Sequence, residues 1–446
     1  MMNKEFLIQS LENKDYKKVK ATLQNMNDMD AASLLEKLDQ KNCILAFRFI
    51  SKHKASNVFA CMNSNAQTSL VENFSEKELK DLLQDLYMDD TVDLLEDLPA
   101  NIVTRILNNI SPEQRELVNQ LLNYPEDSAG SIMTTEYVTL NKEMNVRQAL
   151  SHIKETGIHK ETIYTCYITE NKKLIGIISA KSLITHDPNL KIETLMNQNV
   201  IKVHTDTDQE EVAKLFRKYD LIAMPVLDCE NCMVGIVTFD DVMDVIIDET
   251  NEDISKMAAM EPNEESYFDT SVWQHAKNRI LWLLILMFSA TITGSIITRY
   301  ENAFQAVPLL VSFIPMLMDT GGNCGSQSST LIIRGLALGE IQFKDFFKVL
   351  FKEFRISFLV GLILALANGL RIFIQYQNLS IAIVIALSLI VVVVLSKLIG
   401  CTLPLIANKV GLDPALMASP LITTIVDTCS ILVYFNIAVH IFQITL

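Results

Sequence analysis

The sequence predicts a multi-domain protein with an α-helical, superhelical N-terminal domain, an α/β pair of repeats, an acidic connecting helix and an all-α membrane domain of five transmembrane helices. Three observations lead to this fold class. Charge is unevenly distributed along the chain, two stretches near the middle repeat each other, and the C-terminal part contains long uncharged apolar runs.

The distribution of charge separates the chain into two parts. The 446 residues include 38 Lys and Arg and 53 Asp and Glu, a formal net charge of −15. Residues 271–446 contain 11 basic and 7 acidic side chains, so the preceding 270 residues have a net charge of −19. An acidic part joined to an apolar, slightly basic part excludes an ordinary soluble enzyme. It also argues against nucleic-acid binding, which needs a basic surface.

Residues 1–125 are helical by pattern, because Leu and Ile recur at spacings of three and four residues and β-branched runs are few. A superhelical stack of short helices fits this pattern. Asp89, Asp90 and Asp93 cluster near the start of one of these helices. They suit a helix N-terminus, where the dipole favours acidic side chains, and they suit a metal site equally well.

Residues 126–239 form the second predicted domain, with repeats at about 131–190 and 194–248. The segment Gly176-Ile-Ile-Ser179 of the first repeat recurs as Gly235-Ile-Val-Thr238 in the second. Each repeat predicts the order strand, helix, strand, strand, helix. Two such units pack as a pair because one alone has little core to bury. The pattern resembles a tandem CBS-domain module, which is a sensor fold.

The resemblance to CBS modules raises the question of a nucleotide ligand. In nucleotide-binding members the final strand leads into Ser/Thr-x-x-Asp, whose carboxylate holds a ribose. The second repeat has this motif as Thr238-Phe-Asp-Asp241, whereas the first has Ser182 at the Asp position, preceded by Lys181. ATP binding at Thr238 and Asp241 is therefore implied by half of the pattern.

An acidic connecting helix and linker, residues 240–273, is predicted between the repeats and the membrane. The helix runs from Asp240 to Lys256, with Val242 and Ile254 on its apolar side. Like charges four residues apart destabilise a helix that has no counterions. A solvated surface helix is one interpretation, and a helix neutralised by divalent cations is the favoured one, because the helix adjoins the membrane domain. Its acidic side chains are Asp241, Asp244, Asp248, Glu249, Glu252 and Asp253.

Residues 274–446 form the predicted membrane domain. Ile280 to Thr298 is 19 residues long without a charge, enough to span a bilayer. The loop near 334–355 is the most basic of the membrane loops, so the positive-inside rule places it and the N-terminal domains in the cytoplasm of a cell-membrane protein. An odd number of helices then puts the C-terminus outside. The five helices are expected at about 279–299, 303–335, 350–374, 379–407 and 415–445.

Two of these helices carry polar residues near mid-membrane. Asp427 lies 12 residues after Ala415 and Asn323 lies 11 residues before Arg334, which is about 18 and 17 Å at 1.5 Å per residue. A carboxylate at that depth costs at least ~2.5–3.5 kcal/mol. Asp427 is therefore interpreted as part of an ion pathway, with a structural polar partner as the alternative.

The segment Thr320–Gln327 interrupts the second apolar stretch with three glycines and two amides. A helix-packing seam explains the glycines, since they let helices approach closely. It does not explain Asn323 and Gln327, so irregular backbone facing protein or water is expected here, with backbone carbonyls near Gly322 and Thr423 available to an ion.

Three motifs give the chain a strong resemblance to the MgtE family of magnesium channels or transporters, over essentially its whole length. They are the segments 124–134 (YPEDSAGSIMT), 320–334 (TGGNCGSQSSTLIIR) and 411–416 (GLDPAL). The resemblance implies a homodimer whose pore is lined by the second and fifth membrane helices, with Asp427 as the selectivity carboxylate. The chain departs from the family at Ser419, where Asn often stands, and at Asp319, which is often apolar.

The resemblance also assigns candidate residues. The expected pore residues are Asp427, Asn323, Gly322, Gly325, Gln327 and Thr423. The expected ligands of regulatory Mg²⁺ are Asp89, Asp93, Gly130, Glu210, Asp220, Asp241, Asp244, Glu249, Glu252, Asp253 and Asp413.

The expected function is Mg²⁺ uptake, closed by cytosolic Mg²⁺. Mg²⁺ prefers oxygen ligands and dehydrates reluctantly, so a pore carboxylate recognises the hydrated ion. Transport of Co²⁺, Mn²⁺ or Zn²⁺ is the alternative; Zn²⁺ selection would call for His or Cys in the pore, where Cys324 and Cys429 are the candidates. A membrane-bound enzyme is the remote alternative, because the seven His form no HxxxH-type pair.

Overall fold

The computed structural model describes residues 4–263, 267–268, 270–301, 305 and 307–444, without the side chains of Lys4, His53, Asp89, Asp97 and Ser419. The chain divides into two compact units, Met1–Ile246 and Ile247–Leu446. Each unit has its own buried cores.

The first unit begins with short helices, as predicted. The helices are α1 Lys4–Glu12, α2 Tyr16–Asn25, α3 Asp28–Glu36, α4 Gln40–Phe47, α5 Lys52–Ala60, α6 Ser64–Asn73, α7 Glu76–Leu83, α8 Met88–Asp97, α9 Ala100–Asn109 and α10 Pro112–Leu121. Helices α3, α5, α7 and α9 pack on one another in sequence, and so do α4, α6, α8 and α10. This alternation produces a two-layered helical stack around a continuous apolar core.

Capping residues explain where several of these helices start. Ser75 and Ser111 each form a capping box with the residue three positions later, Glu78 and Gln114. The serine oxygen accepts a backbone N–H that has no partner inside the helix, and the later side chain accepts the N–H of the serine. These motifs keep the helices short and set the turns between them.

The two predicted repeats follow, and each contains the predicted order of elements. The first has β1 Thr139–Leu140, α11 Val146–Thr156, β2 Thr165–Glu170, β3 Lys173–Ser179 and α12 Ala180–Thr185. The second has β4 Val203–His204, α13 Gln209–Tyr219, β5 Ala223–Leu227 and β6 Met233–Thr238, and the helix Phe239–Met257 follows. In each sheet the first pair of strands is parallel and the second pair antiparallel.

The two sheets share one core, which is why the repeats fold as a pair. Tyr167 of β2 is fully buried in a cluster with Leu227, Met233 and Ile236 of the second repeat. The Tyr137 hydroxyl donates to the Met233 carbonyl at 3.2 Å, from the first repeat to the second. Neither repeat covers these side chains alone.

The acidic connecting helix forms α14, Phe239–Met257, which crosses the boundary between the two units. Val242 and Val245 are buried in the core of the first unit, as the apolar pattern predicts. Ile254 was expected on the same apolar side but is 60% exposed. The reason is that the apolar contacts of this end of the helix are made by Met257 instead.

The second unit contains the apolar helices. Among the described residues, four segments are long and apolar enough to cross a membrane: Val272–Arg299, Phe343–Tyr376, Leu379–Val410 and Pro414–Phe442. Their helices are α15 Val272–Arg299, α17 Phe346–Tyr376, α18 Leu379–Val410 and α19 Ser419–Phe442, and the more polar α16 Ile314–Ala337 lies between α15 and α17.

Two expectations about α16 were wrong. It was placed at 303–335, but a 3₁₀ turn at Pro308–Phe313 precedes it and the helix begins at Ile314; residues 302–304 lie outside the described part of the chain. Irregular backbone was expected at 320–327, but α16 is continuous through this segment. A continuous helix satisfies its backbone groups internally, which a low-dielectric environment requires.

Candidate ion pathway and acidic clusters

The glycines of α16 allow close packing against two neighbouring helices. A Cβ at Gly321 would lie 2.9 Å from the side chains of Ser430 and Val426 of α19, and one at Gly322 would lie 2.9 Å from Thr423 Cγ2. Toward α18, the Cβ at Gly321 would also lie 2.9 Å from Val392 Cγ1, and one at Gly325 would lie 3.3 Å from the Ser396 carbonyl oxygen. The glycines therefore form the packing seam that was one of the two interpretations of this segment.

The amides of the same segment lie on a different face of α16. Asp319, Asn323 and Gln327 are spaced by four residues and all three are exposed in the single chain. The Asn323 Nδ2 donates to Asp319 Oδ1 at 3.2 Å. The helix thus presents a polar stripe on one face and a glycine seam on another.

Asp427 lies at the middle of α19 and is half-buried. It is close enough to Asp319 of α16 for their charges to interact. One turn earlier, the Thr423 and Thr424 hydroxyls donate to the Pro420 carbonyl at 2.9 and 3.0 Å. The structure therefore brings Asp427 near the polar stripe, while Gly322, Gly325 and Thr423 lie where the helices pack.

A second polar group lies between α16, α17 and α18, and the sequence patterns did not reveal it. Glu353 is 7% exposed and accepts a hydrogen bond from the Ser328 hydroxyl. Lys397 is 6% exposed. Both side chains lie close enough to Cys401 to interact with it electrostatically. The cost of burying a charge in such a bundle usually confines it to protein-facing positions.

The first unit contains a cluster of carboxylates around the start of α14. Asp241 Oδ2 and Asp240 Oδ1 lie 2.5 and 2.6 Å from the Thr238 hydroxyl. Glu136 accepts the Thr134 hydroxyl at 2.8 Å, and its carbonyl accepts the backbone N–H of Glu161 at 2.9 Å. We call Asp90, Glu136, Glu161, Asp240 and Asp241 the acidic cluster.

Burial and like charges disfavour the ionised form of several carboxyls in the acidic cluster. Burial and the charges of Asp241, Asp240 and Glu136 raise the pKa of Asp90 to about 6. Burial and the same aspartates raise the pKa of Glu161 to about 7. Burial also raises the pKa of Asp241. Glu161 Oε2 is buried without a hydrogen-bond partner. Such a set favours a cation, since desolvation and like charges disfavour the bare carboxylates.

The acidic cluster differs from the expected ligand set. Asp90 contributes the α8 carboxyl, whereas Asp93 is exposed and the Asp89 side chain lies outside the described part of the chain. The signal was in the sequence, because Asp90 lies four residues before Leu94 on the same face of α8, and Leu94 is buried. Glu136 and Glu161 lie outside regular helices, so no periodicity pointed to them.

The remaining predicted ligands of the first unit are not brought together. Glu210 pairs with Lys214 at 2.7 Å. Asp220 is exposed and ends α13 in a left-handed conformation, with φ 50°. Gly130 is buried, and its N–H donates to the Thr205 carbonyl at 2.9 Å. Asp244 is exposed, and burial of part of its side chain and Asp240 raise its pKa.

In the second unit, α14 ends beside the segment that precedes α19. Lys256 Nζ lies 2.7 Å from Asp413 Oδ2 and also pairs with Glu252. Burial lowers the pKa of Lys256, but hydrogen bonds to Asp413 and Glu252 outweigh this effect and raise it. Glu249 and Asp253 are half-buried on the same helix. Two expected Mg²⁺ ligands thus contact an ammonium group.

The predicted nucleotide motif is built differently in the two repeats. Thr238 is buried and its hydroxyl bonds Asp241 within the acidic cluster. In the first repeat the Ser179 and Ser182 hydroxyls lie 3.0 Å apart.

Across the described residues, no three His, Cys, Asp or Glu side chains are arranged to hold a metal ion directly.

Comparisons with known proteins assign the domains. A family model described as the MgtE intracellular N domain matches residues 26–127, and the CBS domain model matches 129–189 and 192–248. A third model, MgtE, described as a divalent cation transporter, matches 314–437.

Two crystal structures also match 55% of this chain, each with a TM-score of 0.52. One is the soluble part of a magnesium transporter, at 30% identity over 97% of that chain. The other is the cytosolic domain of the Mg²⁺ channel MgtE in complex with ATP, at 33% identity over 100% of that chain.

Relatives of similar length match almost the whole chain. The magnesium transporter MgtE of Thermus thermophilus is 33% identical over 437 residues, which are 97% of each protein. The magnesium transporter MgtE of Bacillus subtilis is 32% identical over 420 residues, 94% of this chain and 93% of the relative. The chain belongs to the MgtE family of magnesium transporters.

Proposed function

We propose that this protein is a Mg²⁺-selective channel or transporter that mediates magnesium uptake. The observation that carries the proposal is the position of Asp427, a half-buried carboxylate in an apolar helix beside the polar stripe of α16. Carboxylate and amide oxygens suit Mg²⁺, which keeps several of its waters and is recognised through them. Mg²⁺ is the substrate here, and Asp427, Asn323 and Gln327 contact its hydration shell.

The proposal includes five membrane-spanning helices, with α16 as the second. The loop between α16 and α17 and the helix ends beside it carry basic residues, which places this side in the cytoplasm. The N domain and the CBS pair are then cytoplasmic, and the C-terminus is outside. The residues on which this orientation depends are Arg334, Lys344, Lys348, Lys352 and Arg355.

The pathway is completed by a homodimer. Asp319, Asn323 and Gln327 are exposed in one chain, and lipid would leave their polar groups without partners at a cost of several kcal/mol each. A second copy related by a two-fold axis would enclose the two stripes and bring two Asp427 carboxylates to one aqueous pathway.

Mg²⁺ is favoured over Zn²⁺ by the position of Cys324, one of the two candidate thiols. Zn²⁺ binds Cys and His in preference to water-mediated carboxylates. Cys324 is 6% exposed and lies in the helix contacts of α16, away from the polar stripe. Co²⁺ and Mn²⁺ share more of the oxygen chemistry of Mg²⁺, so they remain the second candidate substrates.

Cytosolic Mg²⁺ closes the pathway in this proposal. The neighbouring negative charges of the acidic cluster and Glu161 Oε2, which is buried without a hydrogen-bond partner, fit a divalent cation. Asp90, Glu161 and Asp241 would hold it, through its waters where they are too far apart to bind directly. The bound ion supplies positive charge that a compact arrangement of these carboxylates lacks. Because it binds the compact state better, it shifts the population toward that state. The other ligands predicted from the sequence stay predictions: Asp89, Asp93, Gly130, Glu210, Asp220, Asp244, Glu249, Glu252, Asp253 and Asp413.

ATP binding at the CBS pair is a further part of the proposal. The similar cytosolic domain that was crystallised with ATP supports it. Thr238 and Asp241 would contact the nucleotide, although Asp241 is also part of the acidic cluster. ATP and the cation would then act on the same carboxylate.

Mg²⁺ flux into liposomes that contain the purified protein tests the proposed transport. We expect Asp427→Ala to abolish flux and Asp427→Asn to reduce it at least tenfold, because the hydrated ion needs the charge. Asp345→Asn, at an exposed ion pair with Lys348, is the matched control and should transport normally. Normal flux through Asp427→Ala would contradict the pore assignment. Flux of Zn²⁺ that is lost in a Cys324→Ser, Cys429→Ser double variant would favour the other substrate class.

A further inference from the structure

The end of the connecting helix is held by an internal cation. The Lys256 ammonium lies between two carboxylates, at 2.7 Å from Asp413 Oδ2 and in contact with Glu252 of its own helix. Glu252 and Asp413 come from segments about 160 positions apart in the chain. One ammonium group therefore joins α14 to the segment that leads into α19.

The Asp413 carboxylate is held in place for this contact. Its other oxygen, Oδ1, accepts the backbone N–H of Ala415 at 2.7 Å and caps a 3₁₀ turn. The turn spans Pro414–Met417 and leads into α19. Because the carboxylate is used on both oxygens, its orientation toward Lys256 is defined by the turn and does not depend on a flexible side chain.

An apolar contact lies next to this ion pair. Met257 packs against Ile333 of α16 and against Ala415 and Ala418 before α19. The ends of both helices of the proposed pathway are therefore tied to the last turn of α14. Lys256 and Met257, which are neighbours at the end of α14, thus make an ionic and an apolar contact with the segment that leads into α19.

We propose that Lys256 is a built-in counter-cation that competes with Mg²⁺ for the Glu252–Asp413 pair, and that it sets the Mg²⁺ concentration at which the connecting helix becomes fixed against the pathway. This inference rests on the proposed function, in which Glu252 and Asp413 are Mg²⁺ ligands. Mg²⁺ and the ammonium need the same carboxylate oxygens, so one must leave when the other binds. In the absence of Mg²⁺, Lys256 keeps the helix partly docked.

Two opposite effects should follow when the ammonium is removed. Without a cation, Glu252 and Asp413 repel each other, so the helix end should be less docked than in the wild type. With Mg²⁺ present, no internal competitor has to be displaced, so a lower Mg²⁺ concentration should suffice. A residue that only strengthens packing would change the docking of the helix end without Mg²⁺. It would leave the Mg²⁺ concentration needed for docking unchanged or raise it.

Hydrogen exchange of residues 247–263 in the full-length protein, reconstituted in nanodiscs, measures both effects. We expect Lys256→Met to exchange at least about threefold faster than wild type without Mg²⁺. We expect its Mg²⁺ midpoint for protection to fall by about fivefold, since a bound competitor weakens apparent affinity in proportion to its occupancy. Lys256→Arg keeps the charge and should behave like wild type. Lys348→Met removes an ammonium from an exposed pair with Asp345 and is the matched control.

The outcomes separate this inference from the proposed function. Unchanged exchange of Lys256→Met without Mg²⁺ would overturn the tether, and an unchanged or higher midpoint would overturn the competition. Mg²⁺ flux by wild-type protein in liposomes is measured in parallel. Absence of flux would contradict the proposed transport, while the exchange of the Mg²⁺-free samples would still decide whether Lys256 holds the helix end.

Discussion

Gly400 of α18 lies directly against the backbone of Gly325 of α16: a Cβ added to Gly400 would lie 2.3 Å from the Gly325 carbonyl oxygen. The neighbouring atom is backbone, so a rotamer change does not relieve the clash. The two helices therefore approach as closely as their main chains allow, and α16, which carries the polar stripe, is positioned by this contact.

Gly400→Ala should destabilise the membrane domain by about 3 kcal/mol or more, because the helices must separate to accept the methyl group. We expect a loss of folded, monodisperse protein in detergent and a lower melting temperature. Gly294→Ala of α15 is the control, since an added Cβ there meets no atom within 4 Å. Equal melting temperatures for the two variants would show that α16 and α18 are less tightly packed than described.

The helical stack of the N domain depends on one arginine. Arg105 of α9 donates from Nη1 to the Val71 carbonyl at 2.7 Å, from Nη2 to the Phe74 carbonyl, and from Nε to Glu76 at 2.8 Å. Val71 and Phe74 lie at the C-terminal end of α6, where carbonyls have no partner within the helix. The arginine thus joins helices that are adjacent in the stack.

Arg105→Met should lower the free energy of unfolding of the N-terminal part by about 1–3 kcal/mol, because two carbonyls lose their donors. Urea unfolding of a fragment of residues 1–263 measures this change. Lys18→Met removes an exposed partner of Asp15 and should cost less than about 1 kcal/mol. A cost for Arg105→Met as small as that of Lys18→Met would mean that water replaces the lost donors.

The acidic cluster should make this fragment less stable as pH rises. Burial and neighbouring charges raise the pKa of Glu161 to about 7, from an ordinary value of 4.5. Below the pKa of Glu161 in the unfolded chain, the carboxyl is protonated in both states and the free energy of unfolding is unaffected. As pH rises between the unfolded and the folded pKa, Glu161 ionises in the unfolded chain first, so the free energy of unfolding falls. Above the folded pKa the decrease in stability is complete.

Glu161→Gln should therefore be as stable as wild type at pH 4 and more stable at pH 8, on the order of 2 kcal/mol. Urea unfolding of the 1–263 fragment at both pH values, without Mg²⁺, is the measurement. Glu116→Gln changes an exposed glutamate and serves as the control. If wild type and Glu161→Gln respond equally to pH, the cluster is already neutralised in some other way.

Most of the architecture follows from patterns that act locally. Leu spacing predicts the helices of the N domain, recurring segments predict the two repeats, and uncharged runs predict the apolar helices. The start of α16 was missed because hydropathy does not distinguish a 3₁₀ turn at Pro308–Phe313 from the α-helix that follows. Its continuity was missed because glycine and amides were interpreted as a break, although each suits a different face of one helix.

The sites were less predictable because they depend on contacts between distant segments. Asp427 and the polar stripe could be found from depth alone, since a charge in an apolar run is informative by itself. Asp90 and Glu161 come together only through packing within the first unit. Lys256 resembles any basic residue at a helix C-terminus, and nothing local pairs it with Asp413.

The acidic residues of α14 supply the last prediction. Without ligands on this helix, Mg²⁺ loses the part of its difference in affinity between the two states that these carboxylates supply, so it shifts their populations less. A variant with Asp244, Glu249, Glu252 and Asp253 all changed to Ala should therefore lose most of the protection from proteolysis that millimolar Mg²⁺ gives the wild type. This loss of protection is expected whatever fraction of the protein is compact without Mg²⁺. Removing the four carboxylates removes the ligands of Mg²⁺ as well as the repulsion between the charges.

The control variant changes four exposed glutamates elsewhere in the chain to Ala. The control and the α14 variant then have the same net charge. These are Glu113, Glu116, Glu126 and Glu155. Limited proteolysis of the full-length proteins across a Mg²⁺ series compares them, and only the α14 variant should lose its response. If the α14 variant gains protection at the same Mg²⁺ concentration as wild type, the helix is a solvated linker. The response would then come from the acidic cluster of the first unit, and Glu161→Gln should weaken it in the same assay.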